Sequence, residues 1–167
     1  MHYQEKNKKS AIEGKEGKHF NLVLECASLG SLGDRIADYS RCFKGLPEAD
    51  RKVVPKIVDF GLAKRVGKKV KKDAKHLRGT ALYVAPESIV YNEYEPHTDV
   101  WALGCVVLEM LTVRKAWNWG PEEPLSSLLD RIGYSDELPL IPEKLSLEAQ
   151  DFVNKCLVKN TTYSMES

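Results

Sequence analysis

The chain has 167 residues, of which 43% are apolar and 29% are charged, and its formal net charge is +1. These values are ordinary for one globular domain. The longest apolar run, Val100 to Leu108, is about half of the ~20 residues that a membrane span needs, and the polar start MHYQEKNKKS does not resemble a signal peptide. We therefore expect a soluble protein of the cytoplasm or nucleus that binds no membrane.

The charge is unevenly distributed along the chain. Residues 64–78 hold eight Lys and Arg residues against the single acidic Asp73. Three interpretations stay open for this basic segment: a solvated loop, a docking surface for an acidic partner, and a nucleic-acid patch. No aromatic residues alternate with the lysines, so nucleic acid is the least favoured partner.

The four cysteines are Cys26, Cys42, Cys105 and Cys156. Their spacing is wide and irregular, and no Cys-x-x-Cys pair exists, so a zinc site has no support. Cys105 and Cys156 fall on apolar helical stripes, which predicts buried thiols and a reducing compartment.

Few regular elements are predicted in the first third of the chain. Residues 1–18 are polar and are expected to be disordered. The alternation in residues 19–25 (HFNLVLE) predicts a strand. Leu32 and Ile36 lie on one face of a short helix that fades near Tyr39, and no long helix is predicted in residues 40–52.

Further along, residues 53–58 read as a strand at an edge or bulge, since they contain Pro55. Ser88–Tyr91 predicts one helical turn. Residues 98–112 (TDVWALGCVVLEMLT) are apolar nearly all round, as in a helix buried on every side, with Thr98 or Asp99 as N-cap.

Two more helices are predicted near the C-terminus. One follows Pro124 with a stripe of Leu125, Leu128, Leu129 and Ile132. The other repeats apolar residues from Ala149 to Leu157 at helical spacing, with Ser146 as its cap.

Four short motifs follow one another in order: Asp59-Phe60-Gly61, Gly79-Thr80, Ala85-Pro86-Glu87 and Asp99-Val100-Trp101. In this order they resemble the second half of a Ser/Thr protein kinase domain, most closely plant mitogen-activated protein kinase kinase kinases of the MEKK-like group. The resemblance implies an α+β kinase-like fold, mostly the helical C-lobe. It implies a truncated kinase domain over residues 19–159, followed by a tail at 160–167.

The same resemblance implies an ATP site. Leu24 would be the gatekeeper, Glu25 and Ala27 would meet the adenine edge, and Ser31 would lie near the ribose. Asp59 would hold Mg²⁺ on the β- and γ-phosphates.

It also implies roles for the segment that follows. Phe60 and Gly61 would support the position of Asp59, and Thr80 would abut the catalytic base and the acceptor hydroxyl. Glu87 would pair with an arginine. Asp99 and Trp101 would be structural, with Asp99 capping the catalytic-loop backbone from a buried helix.

The chain departs from the family pattern in ways that bear on activity. No His-Arg-Asp catalytic loop precedes Asp59, and no Gly-rich loop or phosphate-binding lysine strand is present. The stretch KGLPEADRK leads straight to Val53, as if a few dozen residues were deleted. No catalytic base is retained, so ATP and Mg²⁺ binding is doubtful, and Asp59 has the alternative of a metal-free loop carboxylate.

The losses also bear on stability. Asp99 without its loop would be a buried, unpaired charge, and we expect the isolated chain to fold poorly. Lys155 or Lys159 would only partly replace the arginine partner of Glu87. His76 and His97 are expected to be ordinary surface residues.

Three functions stay open: a kinase-derived remnant without phosphotransfer, a non-catalytic interaction module within a kinase cascade, and an active kinase. For the second, the helix at 125–133 and the basic segment are the expected contact surfaces for protein partners.

Overall fold

A computed structural model describes residues 8–14, 17–23, 30–40, 55–63 and 77–159. The chain divides into two compact units, Met1–Ser31 and Leu32–Ser167. Within the described residues, no helix is both long enough and apolar enough to cross a bilayer.

The first unit contains one antiparallel hairpin. Strand β1 (Lys8–Gly14) pairs with β2 (Gly17–Val23), in a register that runs from Lys8 opposite Val23 to Gly14 opposite Gly17. The strand expected at residues 19–25 is thus present as β2, which begins two residues earlier, at Gly17. Residues 8–14 and 17–18 of the segment expected to be disordered belong to these two strands. The polar sequence of β1 carries no strand signal of its own. The strand forms because β2 supplies hydrogen-bond partners for its backbone.

The second unit is helical. Its helices are α1 (Leu32–Ser40), α2 (Pro86–Val90), α3 (Pro96–Thr112), α4 (Leu125–Tyr134) and α5 (Leu147–Cys156). Two short 3₁₀ turns cover Phe60–Leu62 and Ala81–Tyr83. Helix α1 buries Ile36, as its apolar spacing predicts.

The strand expected over residues 53–58 does not form where the structure describes it. Residues 55–59 have no regular secondary structure, and Ile57 and Val58 are 82% and 63% exposed. Pro55 has no N–H to give to a ladder, and β-formers such as Ile57 and Val58 need a neighbouring strand to become one. The expectation was wrong for the described part.

Helix α3 starts earlier than expected. Its N-cap is Glu95, which makes no side-chain cap bond, and Pro96 occupies the first turn. Proline suits this position because its missing N–H would have no partner there anyway. Thr98 and Asp99 therefore lie inside the helix, and the prediction that one of them is the N-cap is wrong. Thr98 Oγ1 instead donates to the Glu95 carbonyl at 2.8 Å.

The C-terminal helices follow their sequence patterns. Helix α4 begins directly after Pro124 and buries Leu128 and Ile132. At the start of α5 the Ser146 hydroxyl accepts a hydrogen bond from the Ala149 N–H at 3.1 Å. Both helices and the Ser146 cap are confirmed.

The core of the second unit is built around α3. Its buried members are Ala85, Trp101, Cys105, Leu108, Trp117, Leu128, Ile132, Val153 and Leu157. Helix α5 approaches α3 closely at Gly104, where an added Cβ would lie 2.7 Å from Cys156 Cβ. Only glycine permits this approach without displacing α5.

Candidate functional site

A cleft of about 500 Å³ opens beside the first turns of α3. Its walls come from the end of the turn after Asp59, from the segment that leads into α2, and from α3 itself. Among its lining residues are Leu62, Arg78, Thr80, Tyr94, Asp99 and Ala102. Two residues assigned by the kinase resemblance, Thr80 and Asp99, therefore face the same cleft.

Asp59 is exposed and held in an unusual backbone conformation. Its φ of 62° and ψ of 80° place it in the left-handed region, which aspartate tolerates better than most residues. Its Oδ1 accepts a hydrogen bond from the Gly61 N–H at 3.1 Å. A Cβ at position 61 would lie 3.0 Å from that same oxygen, so Gly61 lets the carboxylate fold back onto the turn.

The part of the chain that the structure describes gives Asp59 little support in binding a magnesium ion. The described residues contain no group of three or more His, Cys, Asp or Glu residues that could hold a metal ion. Mg²⁺ requires near-octahedral oxygen coordination, and one carboxylate already shared with an amide supplies little of it. Phe60 is 65% exposed, so the expectation that it packs behind Asp59 is wrong.

Asp99 is exposed at the cleft rather than buried. It lies in the first turn of α3, where the positive end of the helix dipole favours a carboxylate. The expected penalty for a buried, unpaired charge therefore does not arise. Trp101, by contrast, is 2% exposed and lies in the core.

Arg78 ties two walls of the cleft together. Its backbone N–H donates to the Tyr94 hydroxyl at 2.8 Å, and its guanidinium lies 5.6 Å from the centre of the Tyr94 ring. Its side chain also donates to the Leu62 carbonyl at 3.3 Å. The turn after Asp59 is thus linked to the loop before α3.

A second polar cluster joins the same segment to the last turn of α3. The Tyr83 hydroxyl donates to Glu109 Oε2 at 2.8 Å, while Lys115 Nζ donates to Glu109 Oε1 at 2.6 Å and to the Tyr83 oxygen at 3.1 Å. Glu109 is only 7% exposed. We call these three residues the Tyr83 cluster.

Burial and neighbours act together on the protonation of the Tyr83 cluster. Burial, and then the hydrogen bond to Glu109, raise the pKa of the Tyr83 hydroxyl. The hydrogen bond to Glu109 raises the pKa of the Lys115 ammonium, against a smaller opposing effect of burial. Sequence reasoning missed this cluster, although a carboxylate that ends the apolar run of α3 was a signal that a partner is required.

Glu87 is paired with a residue that the sequence did not suggest. Its Oε1 lies 3.1 Å from His97 Nε2, and its side chain is 12% exposed. His97 lies on the surface, as expected, with a side chain that is 53% exposed, but it has a partner in Glu87 that the expectation did not include.

The two lysines proposed as partners of Glu87 are engaged elsewhere. Lys155 Nζ pairs with Asp151 at 2.7 Å. Lys159 Nζ donates to the carbonyls of Arg131 at 3.3 Å and Ser135 at 2.6 Å, at the C-terminal end of α4.

The rest of the expected ATP site is largely not described. Leu24, Glu25 and Ala27 lie outside the described residues, as does most of the basic segment from 64 to 76. Ser31 is exposed and belongs to the first unit. The adenine and ribose roles stay predictions.

Comparison with known proteins gives a consistent family. The model of the protein kinase domain matches residues 46–163. Mitogen-activated protein kinase kinase kinase 20 of Arabidopsis thaliana is 39% identical over 186 positions, which cover 90% of this chain and 54% of that protein. Kinase kinase kinase 18 of the same plant is 39% identical, covering 88% of this chain and 52% of its own length. YODA, also from this plant, is 40% identical over 63% of the chain and 11% of its own length.

The chain spans about half the length of the first two relatives. The lengths of the matches also indicate a gap in this chain. Ninety per cent of 167 residues is about 150, so about 36 of the 186 matched positions have no counterpart here. For the second relative, 178 positions match about 147 residues, an excess of about 31. With YODA, 106 positions match about 105 residues, so this shorter match has almost no excess.

Proposed function

We propose that this chain, which belongs to the protein kinase family and is of the Ser/Thr mitogen-activated protein kinase kinase kinase type, is a kinase-derived protein without phosphotransfer of its own. The observation that carries this proposal is internal to the chain. No His-Arg-Asp-type loop lies between α1 and Asp59, the interval in which the family pattern has one. The 31 to 36 positions by which two relatives exceed this chain support a deletion of that size.

The chemistry explains why this gap matters. Phosphoryl transfer depends on positioning the acceptor hydroxyl with a carboxylate and on neutralising the phosphates with metal and lysine. Of these groups, the described part of the chain retains only Asp59, whose Oδ1 is engaged by the Gly61 N–H. Thr80 lines the cleft together with the carboxylates of Glu95 and Asp99, but the His-Arg-Asp loop that supplies the catalytic base in the family pattern is absent from the sequence.

The proposal extends to ATP and Mg²⁺. Kinases use both, and Asp59 is the residue that would contact the metal. Because the described residues supply little of the oxygen coordination that Mg²⁺ requires, we propose that binding of Mg-ATP to this chain is weak or absent.

Incubation of the purified chain with Mg-ATP and a general Ser/Thr protein substrate tests the proposal. We expect phosphate incorporation no greater than that of an Asp59→Asn variant, which removes the charge yet tolerates the left-handed backbone. Incorporation that is clearly above background and is lost in Asp59→Asn would overturn the proposal. The variant also excludes a contaminating kinase, which would label both samples equally.

A second candidate function is a non-catalytic interaction module within a kinase cascade. It is favoured by the intact packing of residues 77–159, in which the segment before α2 is fixed to α3 by the Tyr83 cluster. The surfaces proposed for protein partners are α4, on which Leu125 and Tyr134 are 47% and 67% exposed, and the basic segment.

Affinity capture of cascade kinases on the immobilised chain tests this second function. Neutralising the four lysines from Lys68 to Lys72 should weaken capture if the basic segment recognises an acidic partner. Capture that is unchanged by this substitution would remove the basic segment from the proposal.

By its family we propose a cytoplasmic and nuclear location, and no nucleic-acid or membrane partner.

A further inference from the structure

The surface around Asp59 exposes a run of apolar side chains. Ile57, Val58, Phe60 and Leu62 are 82%, 63%, 65% and 59% exposed. Single exposed apolar residues are normal on a protein surface, but four of them within six positions indicate a surface that another chain covers. We call residues 55–62 the Asp59 segment.

The first half of the Asp59 segment is suited to a β-ladder. Ile57 and Val58 are β-branched, and such residues favour an extended, pleated backbone. Yet residues 55–59 have no regular secondary structure, and the only sheet in the described part of the chain is the β1–β2 hairpin. An exposed β-forming segment outside a sheet is a template for pairing with a strand of another chain.

The charge pattern of the segment identifies a second copy of this chain as the partner. Lys56 precedes the two β-branched residues, and Asp59 follows them. When two copies lie antiparallel about the bond between residues 57 and 58, Lys56 of each copy stands opposite Asp59 of the other. A parallel arrangement in register would instead place like charges opposite one another, which destabilises a sheet. The segment is therefore complementary to itself in the antiparallel orientation.

The ends of the segment limit the length of such a ladder. Pro55 has no N–H to donate, and Asp59 has a φ of 62°, in the left-handed region where an extended strand ends. Pairing is thus restricted to residues 56–59. Because both copies use the same surface, the interface closes on itself and produces a dimer rather than a fibre.

We propose that the Asp59 segment is a homodimer interface, formed by antiparallel pairing of residues 56–59 of two copies. Two ion pairs between Lys56 and Asp59 fix the register, and Ile57 of each copy packs beside Val58 of the other. The Asp59 carboxylate keeps its bond to the Gly61 N–H in the dimer, since an ionised carboxylate has about four acceptor sites. The proposal does not rest on the lack of phosphotransfer, and its test measures association, so either proposal can fail without the other.

Sedimentation equilibrium of the full-length chain tests the proposal. The chain is measured from about 1 to 200 µM in a buffer with a reducing agent, which excludes dimers linked through cysteine. We expect a reversible equilibrium between monomer and dimer. Its dissociation constant should be roughly 10–100 µM, because the contact is smaller than a standard protein interface.

A matched pair of variants locates the interface. Ile57→Lys places a charge beside the two-fold axis and should weaken the dimer by at least about tenfold. Leu140→Lys is the control, because Leu140 is 85% exposed and lies outside the Asp59 segment. The control should leave the dissociation constant unchanged within about twofold.

Reversal of the charges tests the register. Lys56→Asp and Asp59→Lys each place like charges opposite one another at both ends of the ladder, and each should weaken the dimer by about tenfold. An equimolar mixture of these two variants restores opposite charges at both ends and should dimerise about as tightly as wild type. All substituted positions are exposed, and circular dichroism and thermal melting verify that each variant is folded.

Several results would overturn the proposal. One is a chain that stays monomeric up to about 200 µM. Another is equal weakening of the dimer by Ile57→Lys and Leu140→Lys. A third is a Lys56→Asp variant that dimerises like wild type, or a mixture of the two folded charge variants that does not recover the dimer. Species larger than a dimer that persist in Ile57→Lys would show that a different surface associates.

Discussion

The Tyr83 cluster makes a sharp prediction about stability. Lys115 supplies the only positive charge in hydrogen-bond contact with Glu109 among the described residues, and Glu109 is 7% exposed. The substitution Lys115→Met removes that charge and keeps most of the apolar stem. Glu109 then retains only the Tyr83 hydroxyl as a donor.

The size of the effect follows from the exposure of the two partners. A hydrogen bond to a charged group contributes about 1.5–3 kcal/mol. The Lys115 side chain is 51% exposed, so solvent screening reduces this value. We expect Lys115→Met to lower the free energy of unfolding by about 1–2 kcal/mol at neutral pH.

The effect should depend on pH in one direction. The folded state raises the pKa of Lys115 above its ordinary value of 10.5, chiefly through the hydrogen bond to Glu109. A group with a raised folded-state pKa contributes stability that is fully present below its unfolded value and is lost as pH rises through the folded value. The stability difference between wild type and Lys115→Met should therefore be constant up to about pH 10 and shrink above it.

Urea denaturation at pH 7 and at pH 11 measures both effects. The matched control is Lys155→Met, which removes a pair with Asp151 whose side chains are 74% and 62% exposed. That pair should contribute no more than about 0.5 kcal/mol. The reasoning is refuted if Lys115→Met is no more damaging than Lys155→Met at pH 7, or if its deficit is undiminished at pH 11.

Three further predictions concern the backbone and core of α3. Val113, which follows the helix, has a φ of 54°. Val113→Gly should stabilise the chain by about 0.5–1 kcal/mol, because a β-branched residue is strained there, and an unchanged urea midpoint would contradict this. Gly104→Ala should lower stability by about 1–3 kcal/mol through the clash with Cys156, and a melting temperature equal to or above wild type would show that α5 can shift freely. Cys105 is fully buried, and burial raises the pKa of its thiol to about 12. Iodoacetamide should therefore alkylate Cys105 only after unfolding, and later than it alkylates Cys156. Fast labelling of Cys105 in the native protein, measured by mass spectrometry, would contradict the packing of α3.

The helices of the second unit were largely predictable because their signals are local. Ser146 caps α5 and Pro124 precedes α4. Leu128, Ile132 and Val153 of the two apolar stripes are buried, whereas Leu125 and Phe152 are 47% and 43% exposed. The core position of Trp101 follows from the same kind of pattern. Motif order alone was enough to indicate the protein kinase family.

What failed depends on contacts between distant residues. Tyr83 and Glu109 are 26 positions apart, and no local sequence pattern around either residue predicts its contact with the other. Strand β1 exists through its pairing with β2 rather than through its own propensity. Asp99 was expected to be buried because the family pattern covers it, whereas here the neighbouring surface is an open cleft.

The links made by Arg78 and the Tyr83 cluster have a consequence for control of the protein. They fix the segment before α2 through a tyrosine ring, a carbonyl oxygen and a carboxylate, none of which requires a post-translational modification. Residues 62–79 contain no serine, threonine or tyrosine, so a modifying kinase finds no hydroxyl in that stretch to act on. Within residues 62–79, phosphorylation of a hydroxyl therefore cannot change how this segment is held.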